Sequence, residues 1–473
     1  MDRRSFLGSL VAGTIAGTEL ASAGESDDST SRPNILLFTS DDHGWRHSGA
    51  YGNSTVDTPN LDRLAGQGMR FNRAYTPDTL CSPSRAALNT GLNPYRNGGH
   101  VFGGDIHSDV KTTPQYFGSL GYQTVSVGKF SKHPHDKFPY DVEISNWNPG
   151  SRNSGIPDRV NDFLEGRDSN RPLFLQVGVG NPHTPFLDNK RYDPDSIELP
   201  PDFVDTPETR QSMVDYYASV SVMDRDLGNV LQILQDHGYK SNTIVVYTSD
   251  HGANFPFAKW CLYEDGIRVP FIVRWPGRVQ PGSVTDAMVS FVDVIPTLME
   301  AAGGNPPRDL DGKSFLDVLT GNSESHRDAV FASHTGNGRN YPEWKANWSP
   351  MRAICTRNHK YILNFNPKRQ FKNHIIGCGP DRQPAAYQPY WDSWVEKAKS
   401  DSHARRIVDK YLWRPVEELY DLREDPYETN NLASSPEHAD LLRSLRKRLA
   451  SWRKKQGDTV PVHIVRDYKP PTR

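Results

Sequence analysis

The 473-residue chain is 36% hydrophobic and 24% charged, a balance that suits one large folded domain with a smaller one beside it and argues against extensive disorder. Lysine and arginine total 55 against 57 aspartate and glutamate, so there is no basic excess of the kind that counterion release on nucleic acid rewards. Beyond the first 25 residues no apolar run approaches the roughly 20 residues of a membrane-spanning helix, which leaves a small or saccharide ligand as the expectation.

In chain order, Arg3 and Arg4 precede Ser5, Phe6 and Leu7, a weakly apolar stretch over 8–20, and the small-residue run Ala21-Ser22-Ala23. This is the order of parts in a twin-arginine export signal, with Glu19 as a departure in the apolar part, and it predicts a periplasmic or secreted protein. Residues 24–31 read as a linker, so 1–31 is set apart from the fold. From Pro33 onward, short apolar runs at 35–38, 124–127, 173–179, 244–247 and 269–273 read as buried strands. They alternate with helical patterns. One long amphipathic helix is marked by Val214, Tyr217, Val220, Leu227, Val230, Leu231 and Leu234. The rhythm predicts an α/β fold with helices on both faces of the sheet over 32–325. After about residue 325 the pattern changes to pieces such as 361–364 and a terminal helix near 437–455, which predicts a smaller α+β domain over 326–473. Four cysteines, Cys81, Cys261, Cys355 and Cys378, are too few for a disulfide framework; Cys355 and Cys378 are the nearest pair in sequence.

The chemistry gathers at two strand ends and one helix start. The run 35–38 leads into Thr39-Ser40-Asp41-Asp42-His43-Gly44, and 244–247 leads into Thr248-Ser249-Asp250-His251-Gly252. Both sets fall at carboxyl ends of strands, where open α/β sheets bind ligands. Either run alone reads equally well as a helix cap or turn. Their likeness points instead to an oxygen-rich four-ligand site, better matched to Ca²⁺ or Mg²⁺ than to zinc. The third signal is Cys81-Ser82-Pro83-Ser84-Arg85, followed by Ala86, Ala87 and Leu88 and halted near Gly91. Proline in a first turn predicts that a helix begins here. Residue 81 then sits at the positive end with Arg85 on the same face, a place that attracts an anion such as sulfate.

Cys81-Ser82-Pro83-Ser84-Arg85 with Leu88-Asn89-Thr90-Gly91 behind it resembles the signature of the type I sulfatases, in which the cysteine is oxidised to formylglycine. The resemblance extends through Pro33-Asn34-Ile35, Thr58-Pro59-Asn60-Leu61-Asp62, Gly128-Lys129, Asn181-Pro182-His183, Ser249-Asp250-His251-Gly252, 259–270 and Glu418-Leu419-Tyr420-Asp421-Leu422. It implies an alkaline-phosphatase-like fold: a large mixed sheet flanked by helices, with a C-terminal α+β domain built on an antiparallel sheet. It also implies Asp41, Asp42, Asp250 and His251 as ligands of one divalent cation, together with the modified residue 81; Ca²⁺ is the expected ion and Mg²⁺ the alternative. Many members carry Asn where this chain has His251.

Arg85, Lys129 and Lys259 become the cationic partners of sulfate, and His183 faces the leaving group. The family places a histidine two or three residues after the Gly-Lys lysine. Here Ser131 and Lys132 hold those positions, so His133, or failing that His135, is assigned the second base. The implied reaction is attack on sulfur by the hydrated aldehyde, departure of the alcohol or amine, and expulsion of sulfate as the second hydroxyl loses its proton. A formylglycine-generating enzyme is then a required partner, and both monomer and homodimer remain open.

The stretches Ser48-Gly49-Ala50-Tyr51, Phe255-Pro256, Ser349-Pro350-Met351-Arg352 and Ile362-Leu363-Asn364-Phe365-Asn366 resemble the heparan N-sulfatase branch. They imply the N-sulfate of glucosamine as substrate and a place in glycosaminoglycan degradation, with His100, His107 and 334–339 in the substrate loops. Three alternatives stand beside this: an O-sulfatase on a sulfated glycan, a phosphonate or phosphate ester hydrolase of the same superfamily, and a carbohydrate-binding protein without turnover.

Overall fold

The strand Asn34–Ser40 turns Ile35 and Leu37 into one apolar layer and Leu36 and Phe38 into another. A strand covered on both faces has to be apolar at every position in this way. In the computed structural model, which describes residues 32–129, 134–146, 148, 150–336, 349–376 and 389–460, this strand lies near the centre of an eight-stranded mixed sheet. Thr243–Ser249 and Leu173–Gly178 flank it in parallel. Gln123–Gly128 and Val142–Ile144 extend the parallel run on one side. On the other side Phe271–Arg274 is antiparallel to Thr243–Ser249, and Met69–Phe71 and Ser283–Thr285 complete the sheet. Four neighbouring strands therefore send their carboxyl ends to a common edge, and the site is built there.

The long predicted helix is Pro207–Asp236, 30 residues whose start is fixed by the Thr206 side chain accepting from the Thr209 N–H. Val214, Tyr217, Val220, Leu227, Val230 and Leu234 join Leu36 and Phe38 in one core layer. Tyr116, Phe117, Ile295 and Leu298, from the helices Thr113–Ser119 and Val294–Ala301, cover the opposite face. The single strand expected at 269–273 is instead two. Arg268–Val269 pairs with Ala74–Tyr75 in a three-stranded sheet, while Phe271–Arg274 joins the large one. Pro270 stands between them, and with no N–H to donate it cannot continue a ladder.

The C-terminal region is a four-stranded antiparallel sheet in the order Ala329–His334, Met351–Thr356, His359–Asn364, Glu417–Asp421. Alternation gives it two faces. Ile354, Tyr361 and Leu363 pack under Leu442, Leu445, Leu449 and Trp452 of the terminal helix Ala439–Gln456. Val330, Ala332, Met351, Ala353 and Ile362 belong to the main core. Cys355 and Cys261 are buried free thiols, Cys355 Sγ lying 3.5 Å from Glu264 Oε1, so the sequence-nearest pairing is not made; Cys378 lies outside the described residues. The export signal expected over 1–31 also lies outside them. No described helix is long and apolar enough to cross a membrane.

Candidate active site

Register alone brings the two acidic strand ends together. Ser40 is paired with Ser249, so Asp41-Asp42 and Asp250-His251 leave the sheet side by side, and the Asp42 N–H donates to Asp250 Oδ1 at 3.0 Å. Asp42 holds φ 68, a left-handed conformation that costs a non-glycine residue of order 1 kcal/mol or more and tends to be kept only where surrounding contacts impose it. Two of those contacts are visible: the Tyr216 hydroxyl donates to the Asp42 carbonyl at 3.0 Å and accepts from the Gly44 N–H at 2.9 Å. Gly252 follows His251 because a Cβ there would sit 1.7 Å from the Asp265 carbonyl oxygen.

The third signal lands between them. The helix Cys81–Thr90 starts at Cys81, after Asp78 Oδ1 accepts from the Leu80 N–H at 3.0 Å, and ends where Gly91 turns left-handed at φ 70. All ten helical residues are buried. Cys81 Sγ lies 3.5 Å from Asp41 Oδ1 and 3.4 Å from His251 Nε2. Arg85, one turn on, donates from Nε to Asp250 Oδ2 at 3.1 Å and from Nη2 to the Ser40 carbonyl at 3.1 Å. The Ser84 hydroxyl donates to the Asp250 carbonyl.

Two more strand ends and a loop complete the ring. Gln123–Gly128 ends with Gly128 at φ 96, where a Cβ would sit 2.1 Å from the Gly178 oxygen; this turn lets Lys129 reach back and donate to Asp41 Oδ2. His183, beyond Leu173–Gly178, places Nε2 3.9 Å from Asp42 Oδ2. Its Nδ1 donates to the Thr184 carbonyl, so the Nε2 of the neutral ring faces the site as an acceptor. From the loop after His251, Lys259 Nζ donates to both Asp42 oxygens, at 2.9 and 2.7 Å.

Three buried carboxylates therefore face three cations. Burial alone would raise the Asp41 pKa, but Lys129, His183, Arg85 and Lys259 hold it well below the usual range. Asp42 is held low in the same way, by Lys259 first among its neighbours. Burial would strip Lys259 of its proton; Asp42 reverses that and raises its pKa. Burial, then Lys259, lowers His183. Burial pushes the Cys81 thiol up despite Lys129 and Lys259, so the thiol itself is a poor nucleophile at neutral pH.

The residues fit a metal. One ligand atom each from Asp42, Cys81, Asp250 and His251 lies within 4.8 Å of the others, all buried. His251 Nδ1 donates to the Gly252 carbonyl at 3.0 Å, which leaves the Nε2 lone pair turned inward, as an outer hydrogen bond does for a metal-ligating histidine. Asp41 lies beside this set with one oxygen near Cys81.

The structure thus gathers Asp41, Asp42, Cys81, Arg85, Lys129, His183, Asp250, His251 and Lys259. It does not gather His135, which is exposed and donates to Glu143 Oε1 at 2.8 Å. His133 lies outside the described residues. Of the substrate-loop expectations, His100 stacks on Tyr95 with centroids 4.4 Å apart, His107 is exposed, and His334 is buried; 337–339 are outside the described residues. Sequence reasoning passes over Tyr216, Ser84 and Asp78. Ser84 alone carried a signal, by its place in the motif.

A large mixed sheet with helices on both faces and a separate antiparallel C-terminal sheet is an alkaline-phosphatase-like fold, and the buried cluster of acids and cations lies on the carboxyl edge of its large sheet. The fold agrees with a phosphonate monoester hydrolase from Agrobacterium radiobacter, with a TM-score of 0.70 at 19% identity over 90% of this chain and 96% of that one. It agrees equally with a protein solved in complex with its substrate D-glucosamine-2-N,6-O-disulfate, with a TM-score of 0.67 at 22% identity over 92% and 100%. The chain belongs to the sulfatase family, whose model matches residues 33–304, and is a hydrolase of sulfate esters or sulfamates. A second model, for the C-terminal part of N-sulphoglucosamine sulphohydrolase, matches 251–374. Among relatives, N-sulphoglucosamine sulphohydrolase of Homo sapiens is 31% identical over 89% of each chain. An ulvan-active sulfatase of Formosa agariphila is 30% identical over 92% of this chain and 82% of its own.

Proposed function

We propose that this chain is an exported enzyme that releases sulfate from a sulfated sugar, with the N-sulfate of glucosamine as the preferred target. Its nucleophile is formylglycine made from Cys81 by a formylglycine-generating enzyme. The observation that carries the reading is the inward-facing set of Asp42, Cys81, Asp250 and His251 ringed by Arg85, Lys129 and Lys259. Residues 32–325 form the catalytic domain and 326–473 a smaller one; 1–31 serve as the export signal.

Asp41, Asp42, Asp250 and His251, with residue 81, would hold the cation. Three carboxylates favour Ca²⁺ over zinc. When bound, the ion supplies Lewis-acid stabilisation of charge on sulfate oxygens. The chain's own groups do the rest. Arg85 and the N-terminal turn of the Cys81–Thr90 helix receive the sulfate. Lys129 and Lys259 offset charge on its oxygens in a site shielded from water. Lys259, kept charged by Asp42, holds the proton that the departing nitrogen or oxygen needs, and His183, its ring fixed by Thr184, donates one only after its Nε2 has first taken it up. His133 is the base of the second step.

The match over 251–374 and the relative from Homo sapiens support the N-sulfate reading. A second reading, O-sulfate hydrolysis, is favoured by the relatives named as ulvan-active sulfatase and as N-acetylglucosamine-6-O-sulfatase of Bacteroides thetaiotaomicron, the latter 25% identical over 94% of this chain. Steady-state kinetics of converted enzyme on N-sulfoglucosamine, glucosamine-6-sulfate and a phosphonate monoester separate them. The proposal expects the highest kcat/KM on N-sulfoglucosamine; a higher value on the 6-O-sulfate overturns it in favour of the second reading.

A further inference from the structure

A cleft of about 670 Å³ lies between the terminal helix Ala439–Gln456 and the segment that leads from Asp311 into the C-terminal sheet. None of the catalytic residues lines it. Ser444, Lys447, Arg448, Ser451 and Lys455 enter it from one side, at the spacing of a single helix face. Lys313 and Arg327 oppose them.

Among the described residues, two of the five cations of this cleft are matched by acids and three are not. Arg327 is paired with Asp293, and Arg448 with Asp328 at 2.7 Å. The carboxylate of Asp311 is spent inside the wall, accepting from Arg96 at 3.0 Å, from Asn93 N–H at 2.9 Å and from Gln456 Nε2 at 3.2 Å. Lys313, Lys447 and Lys455 are exposed and form no ion pair among the described residues. A chain of net charge −2 thus concentrates unpaired positive charge in one concave place.

Two further features suit a saccharide. Phe331 and Trp452 both line the cleft, stacked on one another with centroids 5.1 Å apart and ring planes 4° from parallel; Trp452 is buried and Phe331 half-buried, so the apolar surface left for a sugar C–H face is chiefly that of Phe331. Gln456, 4% exposed, lines the same cleft, and its buried Oε1 has no hydrogen-bond partner among the described residues. A buried acceptor left open costs about 1–3 kcal/mol, and a turn of the side chain toward the cleft would bring it to a ligand hydroxyl.

We propose that this cleft is a second binding site, for a sulfated stretch of a polymeric saccharide away from the unit being cleaved. The choice of saccharide over other polyanions rests on the sugar-sulfate reading above. The cleft holds the chain by its sulfates through Lys313, Lys447 and Lys455 and by one sugar face on Phe331. Affinity for the polymer then falls with ionic strength, as exposed charge contacts do.

The test uses the full-length protein and its Lys447→Ala/Lys455→Ala variant, with heparin hexasaccharide as the long probe, N-sulfoglucosamine as the short one and maltohexaose as the neutral control. Calorimetry at low salt is expected to show hexasaccharide binding weakened by about three- to tenfold in the variant, the loss expected for two exposed charge contacts. Turnover of the short substrate stays unchanged, and maltohexaose does not compete. Unchanged hexasaccharide affinity, an equal loss on both substrates, or equal binding of maltohexaose overturns the proposal. Should wild-type enzyme leave N-sulfoglucosamine intact, the N-sulfate reading fails on that arm alone, while the calorimetric arm still decides the cleft.

Discussion

Two buried charge clusters in this molecule differ in how they are closed. Arg352 in the C-terminal sheet is fully buried and meets Asp458 through two bonds, Nε to Oδ2 at 2.7 Å and Nη2 to Oδ1 at 3.1 Å. Its Nη1 donates to the His334 carbonyl at 2.8 Å, and Arg453 adds a bond to Asp458 at 2.7 Å. This cluster is sealed. The cluster at the carboxyl edge of the large sheet is equally buried, but beside their bonds to Lys259, Arg85 and backbone N–H groups, Asp42, Asp250 and His251 each keep a ligand atom within 4.8 Å of one another and of Cys81 Sγ. A buried charge that spends all its bonds on the protein is structure; one that keeps ligand atoms facing inward is prepared for something else.

Breaking each cluster should therefore fail in opposite ways. The largest effect belongs to residue 81. Cys81→Ala should lower kcat by about 10⁴-fold or more with little change in melting temperature, and Cys81→Ser should attack once and stay sulfated, which intact-mass measurement would detect. A Cys81→Ala enzyme that still turns over breaks the contrast. Next comes Arg352→Ala, expected to cost about 3–5 kcal/mol in chemical denaturation because it empties a fully buried position and leaves Asp458 with Arg453 as its one remaining cation among the described residues, while kcat per folded molecule holds. Lys129→Ala should follow with a loss of roughly 10²–10³-fold in kcat, the size seen when one preorganised charge partner is removed, and with a smaller loss of stability than Arg352→Ala because Arg85 and Lys259 still face Asp41. The smallest is His135→Ala. With its side chain 73% exposed and paired, among the described residues, with Glu143 alone, it should change neither rate nor stability by more than about 0.5 kcal/mol; a large loss of rate would return it to the site.

The open cluster is far more legible in sequence than the sealed one, for a physical reason. Asp41-Asp42 and Asp250-His251 each follow a buried apolar run, so the strand end and its chemistry are read together, and register does the rest. The start of the helix at Cys81 is equally local, set by Pro83 in its first turn and Gly91 at its end. Arg352 and Asp458 are 106 positions apart, and nothing local to either names the other. The same holds for the fold. Buried parallel strands announce themselves, whereas Met69–Phe71, Val142–Ile144 and Ser283–Thr285, three residues each, are too short to show a period. Their strand character comes only from the neighbour they pair with. At 269–273 the apolar run is real, and Pro270 divides it between two sheets.

The central claim is that residue 81 works as an aldehyde. Mass spectrometry of the peptide that contains it, from protein made in its native host or together with a formylglycine-generating enzyme, tests this most directly. The account predicts an aldehyde in place of the thiol, present as its hydrate in part and reactive toward a hydrazide. An unmodified cysteine throughout such a preparation, in protein that nevertheless releases sulfate, would contradict it.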